Sequence, residues 1–218
     1  MQPNTLLRLS GVACVIGGVC LAAFVLVHPW DQLMGAAIAQ TLRWRLAHTF
    51  HFIGAAFALL GLPALYLQQR DAMGWFGFTG FALSFLGNAM FVGTGMITAF
   101  IWPMLAVDAP ICVDLGGPIF SSPISILAFK FTAIFLIVGY FMFGVAMLRA
   151  AVFPRMAALV LAIGAILGML PPHPVGPSPW WVLVLGGVLY GGALCWCGAY
   201  LWIKNAPQTA TPILGSTA

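Results

Sequence analysis

The stretch ISILAFKFTAIFLIVGYFMFGVAML, Ile124–Leu148, decides the architecture of this chain. Its one charge is Lys130, and Arg149 closes it. An α-helix rises about 1.5 Å per residue and the hydrocarbon core of a bilayer is about 30 Å thick, so roughly 20 apolar residues cross it. A soluble helix of this length needs a polar face, and this run has none to offer. It reads as a transmembrane helix.

Similar tracts lie on both sides of it. One runs from about Leu9 to Val27 and ends at His28-Pro29-Trp30. The next runs from about Leu46 to Leu67, closed by Gln68-Gln69-Arg70-Asp71. A third reaches from Gly74 to Ile101, with Trp102-Pro103 expected as its stop. The last runs from Trp180 to Ile203, closed by Lys204. A shorter tract, about Met156–Leu170, lies between Phe153-Pro154-Arg155 and Pro171-Pro172 and is counted as a thin span. Composition points the same way. Hydrophobic residues make up 62% of the chain and charged residues 6%, every acid is Asp, and mean hydropathy is +1.06. That cannot clothe a soluble domain in polar surface. The expected fold is all-α, a polytopic integral membrane bundle of about six transmembrane helices. Residues 1–204 form its single domain, and 205–218 a short flexible cytoplasmic tail.

The first tract is longer than the apolar region of a signal peptide and lacks a small-x-small cleavage site, so it is expected to stay as a helix. Basic residues set the orientation. Arg8, Arg70, Arg149, Arg155 and Lys204 fall on one side, Arg43 and Arg45 on the other, which puts both termini in the cytoplasm. The expected location is a plasma membrane, the inner one of a bacterial cell.

Several function classes are excluded by what is missing. The chain has no phosphate-binding glycine loop, no dinucleotide fingerprint and no basic tract for nucleic acid. Its five cysteines, Cys14, Cys20, Cys112, Cys195 and Cys197, have neither metal-type spacing nor an even count for a disulfide scaffold. No motif names a family. Small residues at four-residue spacing, such as Gly164 and Gly168, Gly187 and Gly191, and Cys14, Gly18 and Ala22, mark helix faces that pack closely.

The polar groups are lopsided. With the orientation above, His28, His48, His51 and His173 all fall at the outer end. Lys130 lies about 9 Å into its span, at the depth of His51. Thr94 and Thr98 share that layer, and Asp31, Asp108, Asp114, Arg43 and Arg45 lie in the outer loops. On a helical wheel Trp44, Ala47, His51, Gly54, Ala58 and Gly61 share one face, whose small residues suit helix contact rather than lipid. His51 therefore points inward, and His48 lies one turn above it. Histidines three apart on one helix can chelate a metal. Ionisable residues within spans are costly and tend to serve function.

The expected site is a polar pocket opening to the outer face. Its ligand- or metal-binding candidates are His48, His51, Lys130, His28 and His173, with Arg45, Thr94 and Asp31 in support. Haem or chlorin, or a divalent metal, are the cofactors that His48 and His51 suit. Membrane lipids, other membrane subunits, or an apolar ligand such as a quinone or carotenoid are the expected partners, and nucleic acid is not. With scant loops and no nucleophile-plus-base set, the expected role is a non-enzymatic ligand- or partner-binding component, an accessory subunit of a membrane assembly. The alternative is a membrane-embedded, metal-dependent enzyme acting on a lipid or other apolar substrate from the outer leaflet. A transporter ranks third, because paired acids at broken spans are missing.

Overall fold

A computed structural model of the chain describes residues 3–30, 35–170 and 179–206. Among these residues there is no strand. Six principal helices follow in order: α1 (Pro3–Val27), α2 (Leu42–Leu67), α3 (Arg70–Met96), α4 (Pro123–Ala150), α5 (Arg155–Gly168) and α6 (Trp180–Lys204). Among the described residues, five helical runs are long and apolar enough to cross a membrane: Asn4–Val27, Leu42–Leu67, Arg70–Asp108, Pro123–Ala150 and Trp180–Lys204. The α5 helix has 14 residues, or about 21 Å, and falls short of a 30 Å hydrocarbon core. Large apolar side chains such as Leu26, Leu60, Val107, Ile124 and Ile203 are exposed around the outside. Lipid rather than water suits that surface.

Each helix packs on its neighbours in sequence, and α6 closes the ring against α1. Glycine makes the seams tight. A Cβ at Gly11 of α1 would stand 2.6 Å from the Gly198 carbonyl oxygen of α6, and one at Gly17 would stand 2.7 Å from the Ala58 nitrogen of α2. Gly18 and Gly191 meet in the α1–α6 seam, Gly139 meets Ser84 between α4 and α3, and Gly164 meets Tyr190 between α5 and α6. The spaced small residues of the sequence thus lie in contacts within one chain, where close backbone approach replaces the hydrophobic driving force that lipid cannot supply. The ring interior is filled by Leu62, Leu65, Tyr140, Phe143, Met147, Leu161 and Leu194.

The third run does not stop at Trp102-Pro103. Residues Ile97–Ile101 form a π turn, and helix resumes over Trp102–Asp108. The cause lies in Pro103, which has no N–H to donate. The Trp102 N–H reaches back five residues to Ile97. The Thr98 carbonyl accepts instead from the Trp44 indole of α2, Nε1 to O 3.0 Å. A side chain on a neighbouring helix therefore replaces a backbone donor, as non-helical backbone within an apolar medium requires. At the other end of α3, Gly74 takes φ +58°, a left-handed geometry that kinks the first turn away from the rest.

The end of the ring bearing the start of α2 is capped. Short helices at Ala36–Ala39 and Pro118–Ser121 close over Trp44, Trp102, Ala106 and Val113. Asp114 ties the cap together by accepting from the Ala36 N–H at 3.0 Å.

Candidate functional site

The capped end gathers three histidines from two helices. Thr41 caps α2, its hydroxyl oxygen accepting from the Trp44 N–H at 3.2 Å. That start sets the register in which Trp44, Ala47, His48, His51, Gly54, Ala55 and Ala58 all face inward and are buried. His28 follows directly on α1. Its N–H donates to Phe24 O at 2.9 Å, one more helical turn. Arg43 then caps the end of α1, donating from Nε to Val27 O at 2.8 Å and from Nη2 to His28 O at 3.3 Å. A guanidinium on those last carbonyls satisfies orphan acceptors and the negative end of the helix dipole.

The three rings surround Phe24. Ring centres lie 5.5 Å from it for His28, 5.5 Å for His48 and 4.8 Å for His51, which stacks on it. His28 and His48 are 5.2 Å apart, and His48 and His51 5.9 Å. An aromatic shell encloses them. Trp30 lies 4.0 Å from His28, Trp44 lies 4.0 Å from His48, and Phe91 of α3 lies 3.9 Å from His51. The histidines are 6%, 5% and 2% exposed in chain order.

Their ring nitrogens lack partners. His28 Nδ1 and both nitrogens of His48 and of His51 are buried with no hydrogen-bond partner among the described residues. The Phe91 backbone is a close polar group beside His51, but it does not reach hydrogen-bond geometry. Buried polar groups are nearly always satisfied, so a cluster of unpartnered nitrogens stands out. Burial, and then the Arg43 charge, lower the His28 pKa to about 4, so at neutral pH its ring is uncharged.

A metal does not fit the rings as they stand. Zinc needs ligand nitrogens converging to about 2.0–2.1 Å of one point. Phe24 occupies the middle of the cluster, and no three His, Cys, Asp or Glu among the described residues are placed to hold an ion.

The other expected site residues lie elsewhere. Lys130 is exposed on α4, roughly 120–160° around the helix from buried Thr132 and Leu136. It has the depth of His51 but faces away from the bundle interior, and no contact joins it to the histidines among the described residues. Arg45 is exposed and faces a cleft of about 560 Å³ with Asp108. The Thr94 hydroxyl donates to Met90 O at 3.1 Å on its own helix and lines a groove toward α4. His173 and Asp31 lie outside the described residues.

Deeper in the ring is a second polar group. Asn88 Nδ2 donates to the Tyr140 hydroxyl at 2.6 Å and to Ser84 O at 2.8 Å, and Tyr190 packs edge-on against Tyr140. A cavity of about 10 Å³ beside them, lined by Phe91, Tyr140 and Tyr190 among others, is the size of one water. Phe91 touches both this cavity and His51, so a line of polar and aromatic groups runs from the capped end to the middle of the ring. Tyrosine usually marks the membrane interface. Two tyrosines at mid-span were the available signal for this layer.

Comparison with known protein families, curated proteins and solved structures finds no match to this chain.

Proposed function

We propose that this chain is a small multi-spanning membrane component that binds a ligand at the His28–His48–His51 cluster without catalysing a reaction, as an accessory subunit of a larger membrane assembly would. The observation that carries the reading is the set of partnerless ring nitrogens in an aromatic shell. The ligand supplies hydrogen-bonding groups to the imidazoles, and Phe24 moves aside to admit it. Among the described residues this cluster pairs no nucleophile with a base, which favours binding over chemistry.

In this reading the helices form six spans, with α5 as a thin one, in a plasma membrane. Both termini face the cytoplasm and the histidine end faces outward. Basic residues support that orientation. Arg8 packs over Trp202 and Arg149 over Phe76, and Asn205 donates to Gln68, so the five basic residues Arg8, Arg70, Arg149, Arg155 and Lys204 belong to one end.

The convergence of three histidines from two helices favours one alternative, a metal-dependent enzyme acting on a lipid. It requires Phe24 to leave and the rings to turn until their nitrogens share a point. Absorption spectra and metal analysis of the purified protein separate the readings. An organic chromophore or ligand lost in His51→Ala supports the binding component. About one zinc or iron per chain, lost in His48→Ala together with lipid turnover, supports the enzyme and overturns the leading reading.

A further inference from the structure

The cleft that Arg45 faces lies at the histidine end of the bundle, on its outside, between α2 and the helix over Trp102–Asp108. Its volume of about 560 Å³ falls within the roughly 300–1,000 Å³ typical of small-molecule sites. Arg45 and Asp108 supply its charges, and Ala99, Phe100, Met104 and Val107 form apolar parts of its wall. Phe100, Met104 and Val107 are exposed, so the cleft opens toward the bilayer.

Two observations define the occupant. First, the two charges are exposed and unused. No ion pair joins them, and neither side chain has a hydrogen-bond partner among the described residues. Each also opposes its helix dipole. Arg45 adds positive charge at the positive end of α2, and Asp108 adds negative charge at the negative end of its helix. An anion at Arg45 together with a cation at Asp108 offsets both. Second, polarity is graded along the cleft. Its charges sit at the ends of the two helical runs, and its apolar wall reaches from Val107 back to Ala99, about 12 Å along the helix. A soluble zwitterion leaves that wall bare. An anionic phospholipid pairs with Arg45 but offers Asp108 no cation. A choline head has no N–H for Asp108, and quaternary ammonium is held best by several aromatic faces, where this lining has Phe100 alone among the described residues.

We propose that this cleft binds one phosphatidylethanolamine molecule, its phosphate accepting from the Arg45 guanidinium, its primary ammonium donating to the Asp108 carboxylate, and one acyl chain lying along Met104, Phe100 and Ala99. The guanidinium fork matches two phosphate oxygens, and the ammonium brings three donors. The π turn, which carries Ala99 and Phe100, supplies the deep part of the chain's wall. The site is separate from the histidines, because Arg45 is on the exposed face of α2 while His48 and His51 are buried on the other.

The test is native mass spectrometry of the delipidated full chain in detergent, titrated with palmitoyl-oleoyl phosphatidylethanolamine, phosphatidylcholine or phosphatidylglycerol. Wild type should retain one phosphatidylethanolamine at least about fivefold more tightly than either of the others, the modest value of charge-assisted contacts at an exposed site. Arg45→Gln should weaken that binding by a similar factor. Asp108→Asn should bring phosphatidylethanolamine down to the affinity of phosphatidylcholine. Arg155→Gln removes an exposed charge at the opposite end of the bundle and should change nothing. Equal affinity for the three lipids in wild type, or an ethanolamine preference intact in Asp108→Asn, overturns the proposal. Tighter binding of phosphatidylglycerol overturns it too, and assigns the cleft to an anionic head on Arg45. If Arg45→Gln fails to fold, Asp108→Asn alone decides.

Discussion

Replacing His48 with leucine removes two buried ring nitrogens that have no partner in the protein. Each unsatisfied buried polar group costs about 1–3 kcal/mol. Leucine is close to histidine in volume, so the new side chain fills the site with little strain. What is lost is the ring contact with Trp44 at 4.0 Å, on the order of 0.5–1.5 kcal/mol. Two such nitrogens set against one ring contact favour the variant by about 0.5–5.5 kcal/mol in ligand-free protein. At about 2–4 °C per kcal/mol for a chain of this size, the unfolding midpoint rises by several degrees near the middle of that range. Cys14 and Cys197 are fully buried, so a thiol-reactive dye in detergent reports unfolding as they become accessible. The same variant should lose the ligand. This pairing, more stable and less functional, is what a site held open against its own stability produces. A midpoint lowered by several degrees would mean instead that the His48 nitrogens are bonded in the resting fold and serve structure.

Three further outcomes follow from the same geometry. Gly11→Ala should destabilise by about 1–3 kcal/mol, since its Cβ falls 2.6 Å from the Gly198 oxygen and must push α1 off α6, while Gly192→Ala should be neutral or stabilising; thermal midpoints of the two decide it. Ala151 ends α4 in the left-handed region at φ 52°, so Ala151→Gly should raise stability by about 1 kcal/mol in the same assay. The His28 pKa is about 4 when folded against 6.5 when free, so the unfolded chain takes up the proton first as pH falls. Its contribution to stability is present above pH 6.5 and is lost as pH falls toward 4, and His28→Gln should flatten the stability–pH profile over that window.

Much of the fold was legible because lipid makes sequence simple. A run such as Ile124–Leu148 has one physical home, and the helix-wide small-residue face of Leu42–Leu67 told which way His51 points. The places where the reading failed are equally physical. Trp102-Pro103 looked like a stop because proline breaks helical bonding. The chain instead shifts to a π turn and borrows a donor from Trp44, a partner on another helix that no local pattern contains. Depth alone groups Lys130 with His51. Its angle relative to Thr132 and Leu136 was readable from the sequence and turns it away from the interior. Phe24 counted only as one more apolar residue of its span, although its spacing of four from His28 put both on one face. Convergence of His28 with His48 depended on how α1 crosses α2, which glycine contacts at Gly17 and Gly54 determine and residue spacing does not reveal.

We propose that His28, His48 and His51 form one buried centre that a ligand completes. Native mass spectrometry of the chain released directly from its own membrane tests it. A non-covalent small molecule should be retained on the wild-type chain and missing from both His48→Leu and His51→Leu, with each variant folded by its thermal transition. A bare wild-type chain, or the same adduct retained at equal occupancy in both variants, would contradict it.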